Sequence, residues 1–236
     1  DGATVEQVDD HRVVVEAHLE GTVRFGLSPA LSSDRARSMG EQFCDAVTAR
    51  LGRQVRTTVF GDYQTLSECL ARGEVDFAWT PPQTFVEIFE RGGGMLAIME
   101  RSGRASFESA LVVRVDSDAD TLESLRGGSA AWVDRHSTSG YLFAMAELLR
   151  VLGVATPVVG REHFHGSHRA VCEAVVNGWA DFGATFAIRD DAGEITSSGW
   201  LDLLDEQAGE IRPLAFVGPI PGDNLSHSPQ MPASVV

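Results

Sequence analysis

From Thr22 onward, short apolar runs alternate with longer amphipathic ones. The short runs, rich in β-branched and aromatic residues, predict strands at Val23–Leu27, Val55–Phe60, Phe77–Trp79, Leu111–Val115, Ala130–Val133 and Phe182–Ala184. Between them the apolar positions recur at helical spacing, which predicts helices over Ser33–Leu51, Gln64–Ala71, Pro82–Arg91, Gly140–Leu152 and Arg169–Asn177. Strands that feed helices, which in turn feed strands, imply right-handed crossovers and mostly parallel sheets, so the fold class is α/β.

One internal echo divides the chain. Gly73-Glu74-Val75-Asp76-Phe77-Ala78-Trp79-Thr80 is matched by Gly178-Trp179-Ala180-Asp181-Phe182-Gly183-Ala184-Thr185. In each copy a Gly past the end of a helix can take the left-handed cap, an Asp leads out, and a buried strand ends on a hydroxyl. Two such junctions suggest two similar lobes, although one repeated junction can also arise independently in an α/β chain. The expected organisation is an N-terminal extension over 1–21 holding an extra strand at His11–Ala17, a first lobe over 22–108, a second over 109–204, and a tail over 205–236 that returns to the first lobe. Two crossings between lobes make a hinge.

Composition narrows the partners. Lys and Arg total 19 against 34 Asp and Glu, a formal charge of -15, so a protein tracking a nucleic-acid backbone would work against its own field, and nucleic acid is not expected. A small anion remains compatible, because local donors can hold one inside an acidic protein. No run approaches the ~20 apolar residues of a membrane span, and the first residues lack the basic-then-apolar layout of a leader. Cys44, Cys69 and Cys172 have no metal-ligand spacing and read as unpaired core thiols.

The densest chemical signal is Asp134-Arg135-His136-Ser137-Thr138-Ser139-Gly140-Tyr141, between a strand and a helix. The N–H groups of a helix start lack acceptors and lie at the positive end of the helix dipole; Ser137, Thr138 and Ser139 add three hydroxyls, a donor set suited to a tetrahedral oxyanion. The alternative is a helix cap without a ligand, but a cap uses one hydroxyl. Tyr63, in Phe60-Gly61-Asp62-Tyr63-Gln64, and Thr80, in Trp79-Thr80-Pro81-Pro82, follow predicted strands, where open α/β sheets place ligands. Each also reads as an ordinary turn, Asp62 capping one and Pro82 entering the first turn of the other. Ser167, His168 and Arg169 open a helix and would present donors from the second lobe. With His163 and His165, His168 has a spacing that fits no zinc pattern, so no metal is expected.

Catalysis and cofactors find no motif: G-x-S-x-G, H-E-x-x-H, the P-loop and the dinucleotide fingerprint are all missing, and Gly92-Gly93-Gly94 follows a helix instead of opening one. His136 beside Ser137 is no triad, since neighbours on a turn do not present base to nucleophile. A binding protein without enzymatic activity is the expectation.

Taken together, Gly61-Asp62-Tyr63, Leu70 through Trp79, Ser137-Thr138-Ser139-Gly140-Tyr141, Gly166-Ser167-His168, Ala174 through Asp181, and Gly218-Pro219-Ile220-Pro221-Gly222-Asp223 resemble the phosphate/phosphite/phosphonate-binding proteins of ABC transporters, over roughly 22–229. The resemblance implies a type II periplasmic-binding-protein fold that clamps a small anion between lobes, with Tyr63, the Ser137–Ser139 cradle and His168 matching the family's anion-binding positions. It implies a transporter permease as partner and a periplasmic or extracytoplasmic location; a sensor domain of the same fold on a signalling protein is the alternative. Three departures stand out. Arg169 takes the place of an acidic residue, which favours an all-anionic ligand over one with an amine. Trp79-Thr80-Pro81 replaces an aromatic-and-glycine turn. The family usually carries further helices after the Pro-Ile-Pro segment, and the chain reaches Val236 soon after it.

Overall fold

The computed structural model describes residues 21–28, 33–101, 103–154, 157–202 and 204–231; the expected strand at His11–Ala17 lies outside them. Two sheets organise the chain. The first contains β1 (Val23–Leu27), β2 (Val55–Val59), β3 (Phe77–Thr80), β4 (Gly94–Ile98) and β11 (Asn224–His227), in the order β2-β1-β3-β11-β4. The second contains β5 (Ser106–Arg114), β6 (Ser129–Trp132), β7 (Arg161–Phe164), β8 (Phe182–Arg189) and β10 (Ile211–Pro221), in the order β10-β5-β8-β6-β7, with β9 (Ile195–Ser198) paired to β8. Helices α1 (Ser33–Leu51), α2 (Tyr63–Ala71), α3 (Pro82–Glu90), α4 (Phe143–Leu152) and α5 (His168–Val176) connect the strands.

The sheets repeat one plan. β1-α1-β2-α2-β3 corresponds to β6-α4-β7-α5-β8: in both, the first strand lies between the other two and pairs with each in parallel. An antiparallel strand follows on the same side, β11 on β3 and β5 on β8. The echo seen in the sequence sits at matching places. Gly73 and Gly178 have φ of 70° and 68°, a left-handed turn that residues with a Cβ adopt at a cost. Asp76 and Asp181 then each accept a backbone N–H from the neighbouring strand, Arg24 N at 2.7 Å and Ser129 N at 2.7 Å. Each carboxylate thus pins the start of the strand that leads to a helix.

The chain crosses between sheets from β4 to β5 and from β10 to β11, and the crossings are bonded to each other by Met99 N to Asp223 O at 2.6 Å and Gly222 N to Ala105 O at 2.8 Å. This differs from the expected boundaries. β5 joins the second sheet from Ser106, and the tail does not return at residue 205, because β10 pairs antiparallel with β5 along most of its length and only β11 enters the first sheet. Pro213, Pro219 and Pro221 hide β10 from a strand pattern; it is an edge strand, where a missing N–H breaks no ladder on the open side.

Both faces of the second sheet are covered, so β5 reads as a continuous apolar run. Leu111 and Val113 pack with Trp132, Leu148 and Phe182 on the α4 side, while Ala110 and Val112 pack with Cys172, Val175 and Trp200 on the α5 side. Trp132 is fully buried, edge-on to Tyr141 at 5.5 Å and to Phe182 at 5.7 Å, with its indole N–H donating to Glu162 Oε2 at 2.9 Å. Burial of each large side chain here contributes about 1.5–3 kcal/mol, which fixes α4 and the turn before it against the sheet. Cys44 and Cys172 are buried and Cys69 is half-buried, all as free thiols. No helix among the described residues is long and apolar enough to cross a membrane.

Candidate anion-binding cleft

Of the seven residues singled out from the sequence, Tyr63 is brought to the Ser137–Ser139 turn, and His168 lies against β8, on which that turn also packs. The turn after β6 closes through Ser137 N to Asp134 O at 3.0 Å and His136 N to Asp134 Oδ1 at 2.7 Å. Where a regular α-helix from Gly140 was expected, a wider π-helical turn over Thr138–Leu142 precedes α4, with Leu142 N bonded to Ser137 O at 3.0 Å. Ser137 caps it by accepting from Gly140 N at 3.1 Å. A π-helical turn is uncommon and gathers at functional sites; like any helix start it leaves its first N–H groups without intrahelical acceptors. Gly140 allows the turn to close on β6, since a Cβ there would lie 2.3 Å from Val133 Cγ2 and 2.8 Å from Ser137 Oγ. Ser109 on β5 donates to Ser139 O at 2.6 Å and holds the turn from below.

The hydroxyls divide. Ser137 Oγ accepts from the cap and lies within hydrogen-bond reach of Tyr63; Thr138 Oγ1 accepts from Gln83 N, at the start of α3, at 3.2 Å. The Ser139 hydroxyl makes no hydrogen bond among the described residues. All three residues are buried.

Tyr63 and His168 occupy corresponding positions, each the first residue of its helix after a capping residue. Asp62 accepts from Thr65 N at 2.7 Å ahead of α2, and Ser167 accepts from Ala170 N at 3.2 Å ahead of α5. Tyr63 is 1% exposed and clusters with Ala131, Val133, Val171, Ala174 and Ala180, so a side chain from the first sheet's helix is inserted into the second half of the molecule. Burial, with the Asp223 and Asp134 carboxylates adding, pushes its phenol well above the ordinary range, and it stays a neutral donor. His168 is buried edge-on to Phe186 at 5.2 Å, with Nδ1 3.0 Å from Thr185 Oγ1. Burial, with the Arg101 guanidinium adding, pushes it down to about 3, so the imidazole is neutral. When Thr185 donates to Nδ1, the proton sits on Nε2 and that nitrogen is a donor.

The other two residues are placed elsewhere. Thr80 Oγ1 lies in a closed network between β3 and β11, 3.0 Å from Asn224 Oδ1 and 2.6 Å from Ser226 Oγ. It corresponds by position to Thr185, but its hydroxyl is engaged inside the sheet because β11, unlike β5, brings polar side chains there. Arg169 points along α5, where Nε donates to Glu173 Oε1 at 2.7 Å, with a side chain 43% exposed. The i, i+4 spacing gives it a partner on its own helix, so the expected cation from this position is not delivered to the cleft.

Another cation pairs between the two crossings. Arg101, on the first crossing, donates through Nη2 to Asp223 Oδ2 at 2.8 Å on the second, and Asp223 also receives the Trp79 indole. Asp223 acts electrostatically on Tyr63, and Arg101 on His168. Asp223 was visible in the Pro-Ile-Pro-Gly-Asp segment; Arg101, in a loop with no motif, carried no signal. Across the mouth of the cleft, His136 Nδ1 and Glu87 Oε1 are 2.9 Å apart. The donors facing the cleft are therefore neutral hydroxyls, an imidazole and backbone N–H groups, an arrangement that can bind an oxyanion without a free cation.

A family model for the periplasmic phosphonate-binding protein of ABC transporters matches residues 25–236. The chain belongs to that family. Within it, the chain is 24% identical over 181 residues to the phosphate-import protein PhnD of Mycolicibacterium smegmatis, a match spanning 70% of this chain and 55% of that protein. It thus spans little more than half the length of this curated relative. Among solved structures, the binding component of a Pseudomonas aeruginosa ABC phosphonate transporter superposes with a TM-score of 0.77 at 24% identity, covering 91% of this chain and 70% of that one. PhnD1 of Prochlorococcus marinus, solved in complex with methylphosphonate, superposes with a TM-score of 0.73 at 16% identity, over 89% of this chain and 77% of its own. These neighbours are type II periplasmic binding proteins, the fold class expected from the sequence.

Proposed function

We propose that the chain captures a small phosphorus oxyanion of the phosphonate, phosphate or phosphite type between its two halves and delivers it to the permease of an ABC transporter on the extracytoplasmic side of the membrane. The reading is supported by the reach of Tyr63, which opens a helix in one half of the molecule, to Ser137 of the turn in the other, and by His168, which opens the matching helix against β8, the strand on which the turn also packs. Ser139 Oγ, His168 Nε2 and the N–H groups of the turn would bind the anion's oxygens, with the Tyr63 hydroxyl closing over them through Ser137. The contacts of Thr138 with Gln83 and of His136 with Glu87 join the two halves at the same place, so ligand and closure are coupled. Binding that joins the halves stabilises the closed form by the ligand's differential affinity for it.

A thermal-shift screen against phosphate, phosphite, methylphosphonate and sulfate tests the reading. A phosphorus oxyanion at ~100 times its dissociation constant stabilises by about 2.7 kcal/mol, and sulfate does less. No shift with any of the three phosphorus anions, confirmed by calorimetry, would contradict it.

A further inference from the structure

The Thr185 hydroxyl on β8 is enclosed by α5 and by the turn after β9. His168 and Cys172 lie one helical turn apart on the same face of α5, and both reach it: His168 Nδ1 is 3.0 Å from Thr185 Oγ1, and Cys172 Sγ is within hydrogen-bond reach of the same hydroxyl. On another side Gly199 passes so close that a Cβ there would collide with Oγ1. Thr185 and Cys172 are fully buried. The imidazole's other nitrogen is placed differently. The enclosed side-chain atoms without a partner, among the described residues, are the Ser67 and Thr84 hydroxyls, so Nε2, which bonds none of those residues, meets open space.

We propose that Thr185 is a positioning residue for oxyanion binding: its hydroxyl donates to Nδ1 of His168 and so keeps the proton on Nε2, the nitrogen left for the anion. This inference rests on the proposed function. A neutral imidazole holds one proton, and its place decides the sign of the contact: Nε2–H attracts an oxyanion, while a bare Nε2 turns a lone pair toward it. Two hydrogen-bond patterns fit the enclosed trio. In one, the Cys172 S–H donates to Thr185 Oγ1 and the Thr185 O–H donates to Nδ1; in the other, Nδ1–H donates to Oγ1 and the hydroxyl proton goes to sulfur. Sulfur is a weak donor and a weak acceptor, so the link between Thr185 and His168 decides. The first pattern sends the hydroxyl proton to the basic lone pair of the imidazole, the best acceptor of the three, and the second gives it to the poorest. Burial pushes the Cys172 thiol up to about 12, so the proton that the first pattern needs is present. At the corresponding place in the first sheet Thr80 is bonded to Asn224 and Ser226 instead, and Tyr63, in the position of His168, carries a hydroxyl donor that has no tautomer to set.

Long-range nitrogen–proton NMR correlation of the imidazole rings at pH 7.5, without ligand, reads the tautomer directly. The wild type should show His168 in the Nε2–H form alone. Thr185→Val keeps the shape and removes the hydroxyl, so no partner favours either form and the Nδ1–H tautomer appears beside the other. Calorimetry with phosphate and methylphosphonate should then show affinity falling about twofold to tenfold in Thr185→Val, the range of one neutral hydrogen bond, for whichever of the two the wild type binds. Thr185→Ser restores the single tautomer and the affinity. A packing role alone would change unfolding stability in Thr185→Val and leave tautomer and affinity as in the wild type; that result overturns the inference, as does an Nδ1–H form in the wild type. Either outcome leaves the proposed function standing when the wild type binds phosphate or methylphosphonate, whereas a wild type that binds no phosphorus oxyanion overturns both.

Discussion

His168 ties the cleft to the stability of the whole protein through pH. Its imidazole is buried with Nδ1 on Thr185, and its folded-state pKa is pushed down to about 3 by burial first and by Arg101 second. In the unfolded chain it returns to about 6.5. Between these values the unfolded state carries the extra proton, so stability rises with pH through the window; it is fully present above about 6.5 and is lost progressively as pH falls toward 3. The slope is about 1.36 kcal/mol per pH unit, which makes the loss on the order of 1 kcal/mol at pH 5.5 and on the order of 3 kcal/mol at pH 4.5. Other groups titrate too. Glu74, Asp116 and Glu147, held low by arginines, lose stability in the same direction, and Asp223, held high by burial, acts in the opposite one. His168→Gln keeps a polar side chain without the titration, so the wild-type-minus-variant difference isolates the imidazole. Urea unfolding at pH 7.5, 5.5 and 4.5 should show that difference moving against the wild type by the amounts above. Parallel pH profiles for the two proteins would refute the claim that His168 is buried and neutral.

Other expectations follow from local packing. The Thr84 hydroxyl is fully buried in α3 and has no hydrogen-bond partner among the described residues, so Thr84→Val, nearly isosteric, should stabilise by about 1 kcal/mol in denaturant unfolding; a loss would mean the hydroxyl has a partner. Gly140→Ala places a methyl 2.3 Å from Val133 Cγ2 and should cost about 1–3 kcal/mol of stability along with oxyanion affinity, because the displaced turn carries the donors; unchanged affinity in calorimetry would separate the turn from the site.

Much of the fold was legible because its buried strands are continuous apolar runs and its helices are clearly amphipathic. Ser33–Leu51 is predicted and observed with the same limits, and the other predicted helices differ by a single residue at one or both ends, except Gly140–Leu152, whose first turn is π-helical. The strands that escaped notice lack a clean apolar pattern: β7 is Arg-Glu-His-Phe, β4 begins within a glycine run, β9 and β11 are four residues long and mostly polar, and β10 holds three prolines at an edge. The echo was readable as a junction, yet its meaning, two halves of matching strand order, needed the pairing. In the cleft, the three hydroxyls, Tyr63 and His168 could be named because a helix start after a strand is a local pattern. Thr80 and Arg169 could not be placed, since their partners, Asn224 and Ser226 for one and Glu173 for the other, decide where they point. Arg101 was invisible because its role depends on Asp223, more than a hundred residues later.

The central claim is that the Ser137-Thr138-Ser139 turn is the anion cradle, and calorimetric titration of methylphosphonate and phosphate into the wild type and Ser139→Ala tests it most directly. Ser139 Oγ has no partner in the chain among the described residues, so its removal should leave thermal stability nearly unchanged in the absence of ligand. A hydrogen bond to a charged group contributes about 1.5–3 kcal/mol, so affinity should fall about tenfold to a hundredfold for whichever of the two anions the wild type binds. Wild-type affinity in Ser139→Ala, with stability likewise unchanged, would contradict the account.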